Sequence, residues 1–367
     1  MDPLSSSATA TPPSSPLRIA INGYGRIGRC YLRAIHERQL SAHCQVVAIN
    51  EPADLASMVH LTRFDSTHGR FAGTVSGSGD RLLINDQAIV VSHADHPEAV
   101  DWAATGADLV VECSGQYGSR EQLQRFLAAG CPRLLLSHPG NSAEDVDATI
   151  VHGINEDELS ASARLVSAAS CTTNAVVPVL ALLEQHFGLE HVLLTTLHSA
   201  MNDQPLIDAY HHTDLRRTRS AMQSMIPVST GLARGVERLL PVLVGKVVAK
   251  AIRVPIHNVS AIDMVVELRT AASADAVNNM LRTAAEQAGD HLAWSDDNHA
   301  SIDFNHDSHS AVIDGSHTRL LGPRLLNLLL WFDNEWGFAN RMVDVTCHWQ
   351  RLLSSAHGSR LTPHTVS

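Results

Sequence analysis

The sequence lacks the features that would place the chain in a membrane or on a nucleic acid. No apolar run approaches the ~18 residues needed to span a bilayer, and no block is rich in Lys or Arg. With 27 Lys and Arg against 38 Asp and Glu, the formal net charge is −11 at pH 7. This balance argues against nucleic acid or a membrane surface as the main partner.

Closely spaced cysteine pairs and targeting signals are missing as well. The six cysteines include no C-x-x-C pair, a usage typical of reduced thiols in a cytoplasm. Residues 1–16 are rich in Ser, Thr, Ala and Pro and contain no Lys or Arg, so they resemble neither a secretory signal nor an Arg-rich transit peptide. We expect a disordered leader over residues 1–16 and a flexible tail over residues 354–367.

A metal site is not expected, although the chain has 22 histidines. The densest cluster places His306 and His309 beside Asp303 and Asp307. It lacks a third ligand at a familiar spacing, so solvated loop histidines are the better interpretation.

The first motif with chemical content is rich in glycine. Residues 17–22 predict a strand that runs into Gly23, Gly25 and Gly28, spaced as G-x-G-x-x-G, and then into a helix to about Arg38. In this context the glycines allow a tight turn and the close approach of a pyrophosphate, which sits on the helix N-terminus. A glycine-rich turn without a nucleotide is the alternative.

A carboxylate after the second strand supports a dinucleotide. The strand predicted over residues 45–50 is followed by Glu51, about 20 residues beyond Gly28, where an acidic side chain can bind the adenosine ribose hydroxyls. Because a carboxylate there repels a 2′-phosphate, NAD is favoured over NADP.

The chain, at 367 residues, is long enough for two domains. Up to about Ser170, strand-like runs alternate with helical ones, which predicts an α/β domain with a doubly wound parallel sheet of the Rossmann type. The strands are expected over residues 82–91, 107–113 and 133–137, and a helix over 120–129. Ser114 and Ser137, at strand ends, are candidates for lining a cofactor groove.

After Cys171 the pattern is typical of an α+β domain with a mostly antiparallel sheet. The strands of this sheet are expected over residues 191–197, 247–254, 261–269, 309–314 and 325–332. Residues 339–353 predict one amphipathic helix. We therefore expect an NAD-binding domain over residues 17–170, completed by a C-terminal helix at 336–353, and a catalytic domain over residues 171–335.

One cysteine is a candidate nucleophile. Cys171 lies among small polar residues, in the segment Ser170-Cys171-Thr172-Thr173-Asn174, directly before the apolar run 175–183, which predicts a helix. At a helix N-terminus, unpaired N–H groups and the dipole favour thiolate over thiol and could hold an oxyanion. A buried cysteine that caps a helix is the alternative.

A histidine and several arginines extend this chemistry. His198 ends a predicted strand, where an imidazole can serve as base for a thiol on a facing helix; a surface or core histidine is the alternative. Residues 214–219 hold three arginines, which suit phosphate or form a solvated charge run. Arg253 is flanked by aliphatic residues in a strand and needs an anionic partner.

Together, these motifs resemble the glyceraldehyde-3-phosphate dehydrogenase family. The resemblance covers about residues 17–353 and rests on order and spacing of these segments: 22–29 (NGYGRIGR), 170–174 (SCTTN), 196–199 (TLHS), 214–217 (DLRR), 253–255 (RVP) and 333–337 (DNEWG). A second set resembles the erythrose-4-phosphate dehydrogenase subfamily: 117–121 (YGSRE), 136–140 (LSHPG), 198–201 (HSAM), 207–211 (IDAYH), 303–307 (DFNHD) and 337–342 (GFANRM).

The resemblance implies a role for each motif residue. Cys171 would attack the aldehyde, His198 would activate the thiol and assist hydride departure, and Asn334 would hold the nicotinamide carboxamide. The other NAD-binding positions would be Gly23, Gly25, Arg26, Ile27, Gly28, Glu51, Ser114 and Ser137. The substrate positions would be Ser170, Thr172, Arg217, Thr230, Gly231 and Arg253, with the two arginines on the phosphate.

The resemblance leaves two fates for the thioacyl intermediate. Phosphate attacks it in the glycolytic enzyme, whereas water attacks it in the erythrose-phosphate enzyme of pyridoxal phosphate biosynthesis and gives 4-phosphoerythronate. Met201 and Ile256 stand where the glycolytic pattern has threonines, and the lost hydroxyls predict a changed substrate pocket. Thr230 and Gly231 keep the glycolytic pattern. We expect oxidation of erythrose 4-phosphate; the alternatives are the glycolytic activity and a non-catalytic NAD-binding regulator.

The resemblance also predicts a homotetramer. Residues 201–230 join His198 to the next strand, and in the family such a loop packs across a subunit boundary. Loops of this length are seldom free-standing.

Overall fold

The computed structural model describes residues 15–211 and 214–358. By its internal contacts the chain divides into two compact units. The first unit comprises, within the described part, residues 15–169 and 339–358; the second is Ser170–Phe338. The predicted leader lies outside the described residues except for its last two, and so does the predicted tail beyond residue 358. No helix in the described ranges has the length and apolar character required to cross a bilayer.

The first unit is built on a large, mainly parallel sheet. The strands of the sheet are β1 (Leu17–Asn22), β2 (Cys44–Asn50), β5 (Val75–Ser78), β6 (Arg81–Ile84), β7 (Gln87–Ser92), β8 (Leu109–Glu112), β9 (Leu134–Leu136), β10 (Ala148–Thr149) and β11 (Leu165–Ser167). Two short strands, β3 (Phe64–Asp65) and β4 (Gly69–Arg70), pair only with each other. Its helices are α1 (Arg26–Glu37), α2 (Leu55–Arg63), α3 (Trp102–Thr105) and α4 (Arg120–Ala128).

The strand order of this sheet is β10-β11-β9-β8-β1-β2-β7-β6-β5. All pairs are parallel except those between β5, β6 and β7 at one edge. The strands β8 and β9 are buried along their whole length, as expected for strands covered on both faces. The prediction of a doubly wound parallel sheet is confirmed.

The order of the strands locates a ligand crevice. From β1 the sheet extends one way through β2 and β7, and the chain then returns to β8, beside β1, and extends the other way. In doubly wound sheets, ligands bind outside the carboxyl ends of the strands where the order reverses. Here those ends are Asn22 on β1 and Glu112 on β8.

The prediction of a single strand over residues 82–91 is wrong. The structure has a hairpin there, β6 and β7, paired antiparallel. Asn85 and Asp86 connect the strands with φ of 46° and 68°. Two successive positive φ angles make the type of turn that matches the twist of a hairpin, and Asn and Asp tolerate it best after Gly. This Asn-Asp pair was the turn signal in the sequence.

The second unit contains a seven-stranded sheet. Its strands are β12 (Leu189–His198), β13 (Ile226–Val228), β14 (Val247–Arg253), β15 (Ser260–Leu268), β16 (Leu292–Ser295), β17 (Ala311–Leu321) and β18 (Leu325–Phe332). Its helices are α5 (Cys171–Phe187), α6 (Leu232–Leu239) and α7 (Ala274–Gln287). The order is β13-β14-β12-β15-β18-β17-β16, and only β12–β14 and β16–β17 pair parallel within the described sheet. The predicted mostly antiparallel sheet is confirmed.

The last helix, α8 (Trp336–Gly358), begins where the predicted C-terminal helix 336–353 begins, three residues before the amphipathic segment 339–353, and ends five residues later than predicted. Its start is fixed by the Asp333 carboxylate, whose Oδ1 accepts hydrogen bonds from the N–H groups of Glu335 and Trp336 at 2.9 and 2.8 Å. Such a cap satisfies N–H groups that a helix leaves unpaired. Residues 354–358, predicted to be flexible tail, continue the helix.

Within the first unit, α8 packs against α1. The Tyr31 and Thr346 hydroxyls lie 2.8 Å apart, and Arg38 forms an ion pair with Asp344 at 2.7 Å. The residues after 338 are thereby tied to the same compact body as the sheet built from β1.

Candidate active site

Cys171 is the first residue of α5. Ser170 caps this helix, since its Oγ accepts a hydrogen bond from the Thr173 N–H at 3.1 Å. The preceding residue, Ala169, has φ of 60°, a left-handed conformation that is uncommon for a residue other than glycine. The turn and the cap together direct the chain into the helix at the cysteine. The predicted placement at a helix N-terminus is what the structure has.

His198 ends β12 and faces this thiol. Its Nε2 lies 3.9 Å from Cys171 Sγ, and its Nδ1 lies 2.9 Å from the backbone oxygen of Ser199. A carbonyl can only accept, so Nδ1 carries the proton. In a neutral imidazole this leaves Nε2 as the acceptor, turned toward the thiol.

The protonation of the pair differs from the sequence expectation. Burial raises the pKa of Cys171 to about 12, more than the N–H groups of Thr172 and Cys171 lower it. Burial also lowers the pKa of His198, aided by the charge of Arg253 and opposed by the bond to Ser199. Loss of hydration therefore outweighs the helix N-terminus, which was expected to favour thiolate over thiol. A thiol faces a neutral base that can accept its proton.

Asn334 lies directly after β18 and is held by two hydroxyls. Its Oδ1 accepts from Ser199 Oγ at 3.0 Å and from Ser260 Oγ at 2.8 Å. All three residues are buried. Because the oxygen already has two donors, Nδ2 is the group left to bind a ligand. The sequence alone did not indicate Ser260, since a serine at the start of an apolar strand carries no signal of its own.

The two arginines expected to bind phosphate converge on one carboxylate. Arg253 lies opposite His198 in the β12–β14 pairing. Its Nη1 and Nη2 lie 2.6 and 3.2 Å from the oxygens of Asp203, and Arg217 Nη1 lies 2.8 Å from the same carboxylate. A substrate phosphate has to bind these arginines beside Asp203 or displace its carboxylate. Asp203 was not predicted from the sequence, because it lies in an irregular segment.

The remaining substrate positions lie at helix starts. Thr172 Oγ1 is 3.1 Å from Ser170 Oγ. Thr230 Oγ1 accepts from the Leu232 N–H at 3.2 Å, and Gly231 caps α6. The helices α5 and α6 are in close contact, because a Cβ on Gly235 would lie 2.9 Å from Thr173 Oγ1. Both helix starts therefore belong to one packed pair.

The predicted cofactor residues gather around a cavity in the first unit. The cavity has a volume of about 240 Å³ and is lined by Gly23, Gly25, Glu51 and Ser114 among the predicted positions. Further lining residues, missed from sequence, are Asn22, Asn50, Pro52, Ala94, Asp95, Cys113, Gln116 and Tyr117. Several of these follow parallel strands, so the carboxyl ends of the strands were the available signal.

The glycine motif has the close approaches it requires. Gly23 has φ of +86°, and a Cβ there would lie 2.6 Å from the Ser114 backbone N. A Cβ on Gly28 would lie 2.4 Å from the Gly23 carbonyl oxygen. Both distances are too short for any side chain. The turn from β1 into α1 and its contact with the chain after β8 thus require glycine at both positions.

The other predicted cofactor residues are engaged within the first unit. Glu51 accepts hydrogen bonds from the N–H groups of Tyr24 and Ala53 at 2.7 and 3.2 Å. Arg26 forms an ion pair with Asp65. The first turn of α1 consists of Arg26, Ile27 and Gly28. Ser137 follows β9, and its N–H donates to the backbone carbonyl oxygen of Glu112 at 3.0 Å. Arg26, Ile27, Gly28 and Ser137 lie outside the lining of the cavity, whereas Glu51 is part of it.

A buried carboxyl underlies the crevice. The Glu112 side chain is fully buried and accepts from the N–H groups of Ser114 and Gly115 at 2.7 and 3.1 Å. It also accepts from the Asn22 amide, whose oxygen accepts from Asn50 at 2.9 Å. Burial raises the pKa of Glu112 despite these donors. The network ties the carboxyl ends of β8, β1 and β2 together.

The histidine cluster considered for a metal has other contacts. His309 Nδ1 lies 2.8 Å from Asp307 Oδ1. The His306 ring stacks on Trp336, with 3.8 Å between the ring centroids.

Two family models match the chain. Residues 17–120 match the model described as glyceraldehyde 3-phosphate dehydrogenase, NAD binding domain. Residues 170–334 match the model described as glyceraldehyde 3-phosphate dehydrogenase, C-terminal domain. The first match includes the glycine motif and Glu51, and the second includes Cys171, His198 and Asn334.

Proposed function

Since the chain belongs to the glyceraldehyde 3-phosphate dehydrogenase family, we propose that it oxidises D-erythrose 4-phosphate to 4-phospho-D-erythronate with NAD. Family membership makes it an NAD-dependent oxidoreductase that acts on an aldehyde phosphate. The observation that carries the chemistry is the pair formed by Cys171 and His198, with 3.9 Å between Sγ and Nε2. The choice of erythrose 4-phosphate as substrate and of water as the second reactant is argued from the residues of the substrate pocket.

The residues of the first unit fit a dinucleotide. Gly23 and Gly25 line the cavity without a side chain, which lets the backbone approach a pyrophosphate, and Glu51 places a carboxylate on the cavity wall. The matching NAD binding domain makes NAD the cofactor. When bound, NAD supplies the acceptor for the hydride. A carboxylate at Glu51 disfavours the 2′-phosphate of NADP.

The first half of the reaction uses the thiol and the base. His198 Nε2 takes the proton of Cys171, the sulfur attacks the aldehyde carbon, and the carbonyl oxygen then receives that proton. As hydride leaves the same carbon, His198 removes the hydroxyl proton, and a thioacyl enzyme results. N–H groups at the start of α5 are placed to stabilise the oxyanion that forms on the way.

The second half is hydrolysis. His198, freed of its proton, takes one from water, the oxygen attacks the thioacyl carbon, and the Cys171 thiolate leaves and is reprotonated. Deacylation by water in place of phosphate requires that His198 reach the attacking molecule. The tautomer set by Ser199 leaves Nε2 as the proton acceptor in both halves.

Two apolar side chains favour the four-carbon substrate. The Ala200 N–H donates to the Ile256 carbonyl oxygen at 2.9 Å, so the segments that carry Met201 and Ile256 are neighbours beyond the ends of β12 and β14. Neither side chain can donate to a phosphate near Arg253. A hydrogen bond from a hydroxyl to a charged acceptor contributes about 1.5–3 kcal/mol to the free energy of binding. Its loss is enough to reorder the preference between phosphorylated aldehydes.

Phosphorolysis of the triose is the second candidate. Thr230 and Gly231 stand at the start of α6, where unpaired N–H groups suit an attacking phosphate. This observation supports the glycolytic activity, and the assay below separates the two.

The assembly and compartment are part of the proposal. Five large apolar side chains of the long loop are at least 72% exposed in the described chain: Leu206, Ile207, Tyr210, Leu215 and Met225. Exposed apolar groups suit an interface, which supports a homotetramer built by this loop. The six cysteines are free in the described residues, in keeping with a reducing cytoplasm.

The decisive experiment measures NADH formation with each aldehyde, with and without inorganic phosphate. We expect a higher kcat/KM for erythrose 4-phosphate and full turnover without phosphate. Met201→Thr with Ile256→Thr should shift the preference toward the triose by about tenfold or more. Preference of the wild type for the triose, with arrest in the absence of phosphate, would identify the glycolytic reaction and leave the Cys171 chemistry intact.

A further inference from the structure

The hydroxyl of Ser260 connects two parts of the candidate active site. It donates to Asn334 Oδ1 at 2.8 Å and accepts from the Ser199 N–H at 3.1 Å. The Ser199 carbonyl in turn accepts from His198 Nδ1 at 2.9 Å. One buried hydroxyl therefore holds both the backbone N–H of Ser199, the residue whose carbonyl orients the base, and the amide expected to bind the nicotinamide.

Val259, the residue before Ser260, is held in a backbone conformation that a β-branched residue disfavours. Val259 is fully buried and has φ of 65°, a genuine outlier for a β-branched side chain. Such strain persists where the surrounding structure over-determines it, and it occurs preferentially at functional sites. Here the left-handed turn precedes the first residue of β15 and directs the Ser260 hydroxyl.

The neighbouring contacts supply the constraint. The Asn258 amide donates to Asp333 Oδ2 at 2.8 Å and to Asn305 Oδ1 at 2.9 Å. Ser260 pairs with Phe332 across β15 and β18. Residues 258–260 and 332–334 are thus joined by backbone pairing and by side-chain bonds on either side of Val259.

We propose that Ser260 is a positioning residue that fixes the tautomer of His198 through Ser199 and the orientation of the Asn334 amide. Without its hydroxyl, the buried Ser199 N–H loses its acceptor. The backbone at Ser199, whose carbonyl accepts from Nδ1–H, is then held on one side only, by the bond from the Ala200 N–H to the Ile256 carbonyl oxygen. Asn334 Oδ1 then accepts from the Ser199 hydroxyl alone, and the amide group can rotate so that its oxygen and nitrogen exchange places. The inference rests on the proposed function, in which His198 is the base and Asn334 binds NAD.

Four substitutions test the two contacts separately. Ser260→Ala removes both. Ser199→Ala removes only a donor to Asn334, because the backbone N–H and carbonyl of residue 199 remain. Ser310→Ala is the matched control, a buried serine of the same unit outside this network. Ser260→Thr keeps a hydroxyl and tests for rescue.

Two measurements need no aldehyde substrate, so they hold even if the proposed function fails. One is the dissociation constant of NAD by titration calorimetry. The other is the rate of Cys171 alkylation by iodoacetamide as a function of pH, which reports on His198. The thermal midpoint of each variant shows whether a change follows loss of fold.

We expect Ser260→Ala to weaken NAD binding about tenfold and to slow alkylation at neutral pH about tenfold. Ser199→Ala should weaken NAD binding and leave alkylation unchanged, Ser310→Ala should change neither, and Ser260→Thr should recover part of both. The proposal is overturned if Ser260→Ala binds NAD and reacts within about twofold of the wild type, or if Ser310→Ala, at an equal loss of thermal midpoint, reproduces its effects. Failure of the wild type to oxidise any aldehyde phosphate would instead refute the proposed function.

Discussion

At the residue scale, the thiol at the start of α5 is the group on which the proposed chemistry depends. We expect Cys171→Ala to lower aldehyde oxidation by about a thousandfold or more while NAD binding stays close to that of the wild type, since the glycine motif and Glu51 belong to the first unit. Turnover would be measured by NADH absorbance and binding by calorimetry. Cys131→Ser, a buried cysteine of the first unit, is the control and should retain turnover. Comparable activity of the alanine variant would refute the thioacyl mechanism.

The pH dependence of Cys171 is a second prediction at this scale. With a pKa raised to about 12 by burial, the thiolate fraction should grow about tenfold per pH unit over the accessible alkaline range. Iodoacetamide alkylation without NAD should therefore rise with pH and show no plateau below about pH 10. A plateau near neutral pH would mean that a thiolate is already formed.

Protonation of the base His198 should limit the reaction at acidic pH. His198 has a pKa below its ordinary value near 6.5, so the imidazole is neutral at pH 7 and becomes protonated only in more acidic solution. The rate kcat/KM should fall as the pH drops through that lowered pKa, below about pH 6.5. A fall that begins well above pH 7 would contradict the assigned base.

At the element scale, the turn between β1 and α1 is set by space and by backbone conformation. Gly23→Ala combines a φ of +86° with a contact of 2.6 Å to Ser114 N, and we expect a loss of about 1–3 kcal/mol in the free energy of unfolding together with loss of NAD binding. Gly25→Ala is the matched control for stability alone, because its Cβ would meet no protein atom; Gly25 lines the cavity, so NAD binding should weaken in both variants. Denaturant unfolding and calorimetry of both variants test this. Equal stability of the two would contradict the role of Gly23.

At the scale of the whole molecule, we expect a homotetramer in solution. Light scattering at micromolar concentration should give the mass of four chains. Ile207→Glu and Tyr210→Glu place charges on side chains that are 77% and 100% exposed in the described chain, and they should reduce the mass, because a charge is costly to bury at an apolar interface. Leu61→Glu, on the first unit, is the control. A monomeric wild type would refute the assembly.

The sequence by itself determined the classes of structure and much of the chemistry. Alternation of strands and helices up to residue 170 is a local, periodic signal, and so is the succession of apolar runs after it, so both sheets could be predicted. The glycine motif and the cysteine at a helix start are short patterns whose meaning does not depend on distant residues. His198 gained its meaning from a resemblance carried by many segments in order.

Only the tertiary structure decided which groups meet and in what state. The hold of Ser260 on Ser199 and Asn334, the carboxylate of Asp203 between two arginines, and Glu112 beneath the crevice join residues that are far apart in the chain, and nothing in each local segment marks them. The protonation of Cys171 turned on a balance between burial and two N–H groups. Burial is a property of the packed surroundings, so the sequence could name the nucleophile but could not say that it rests as a thiol.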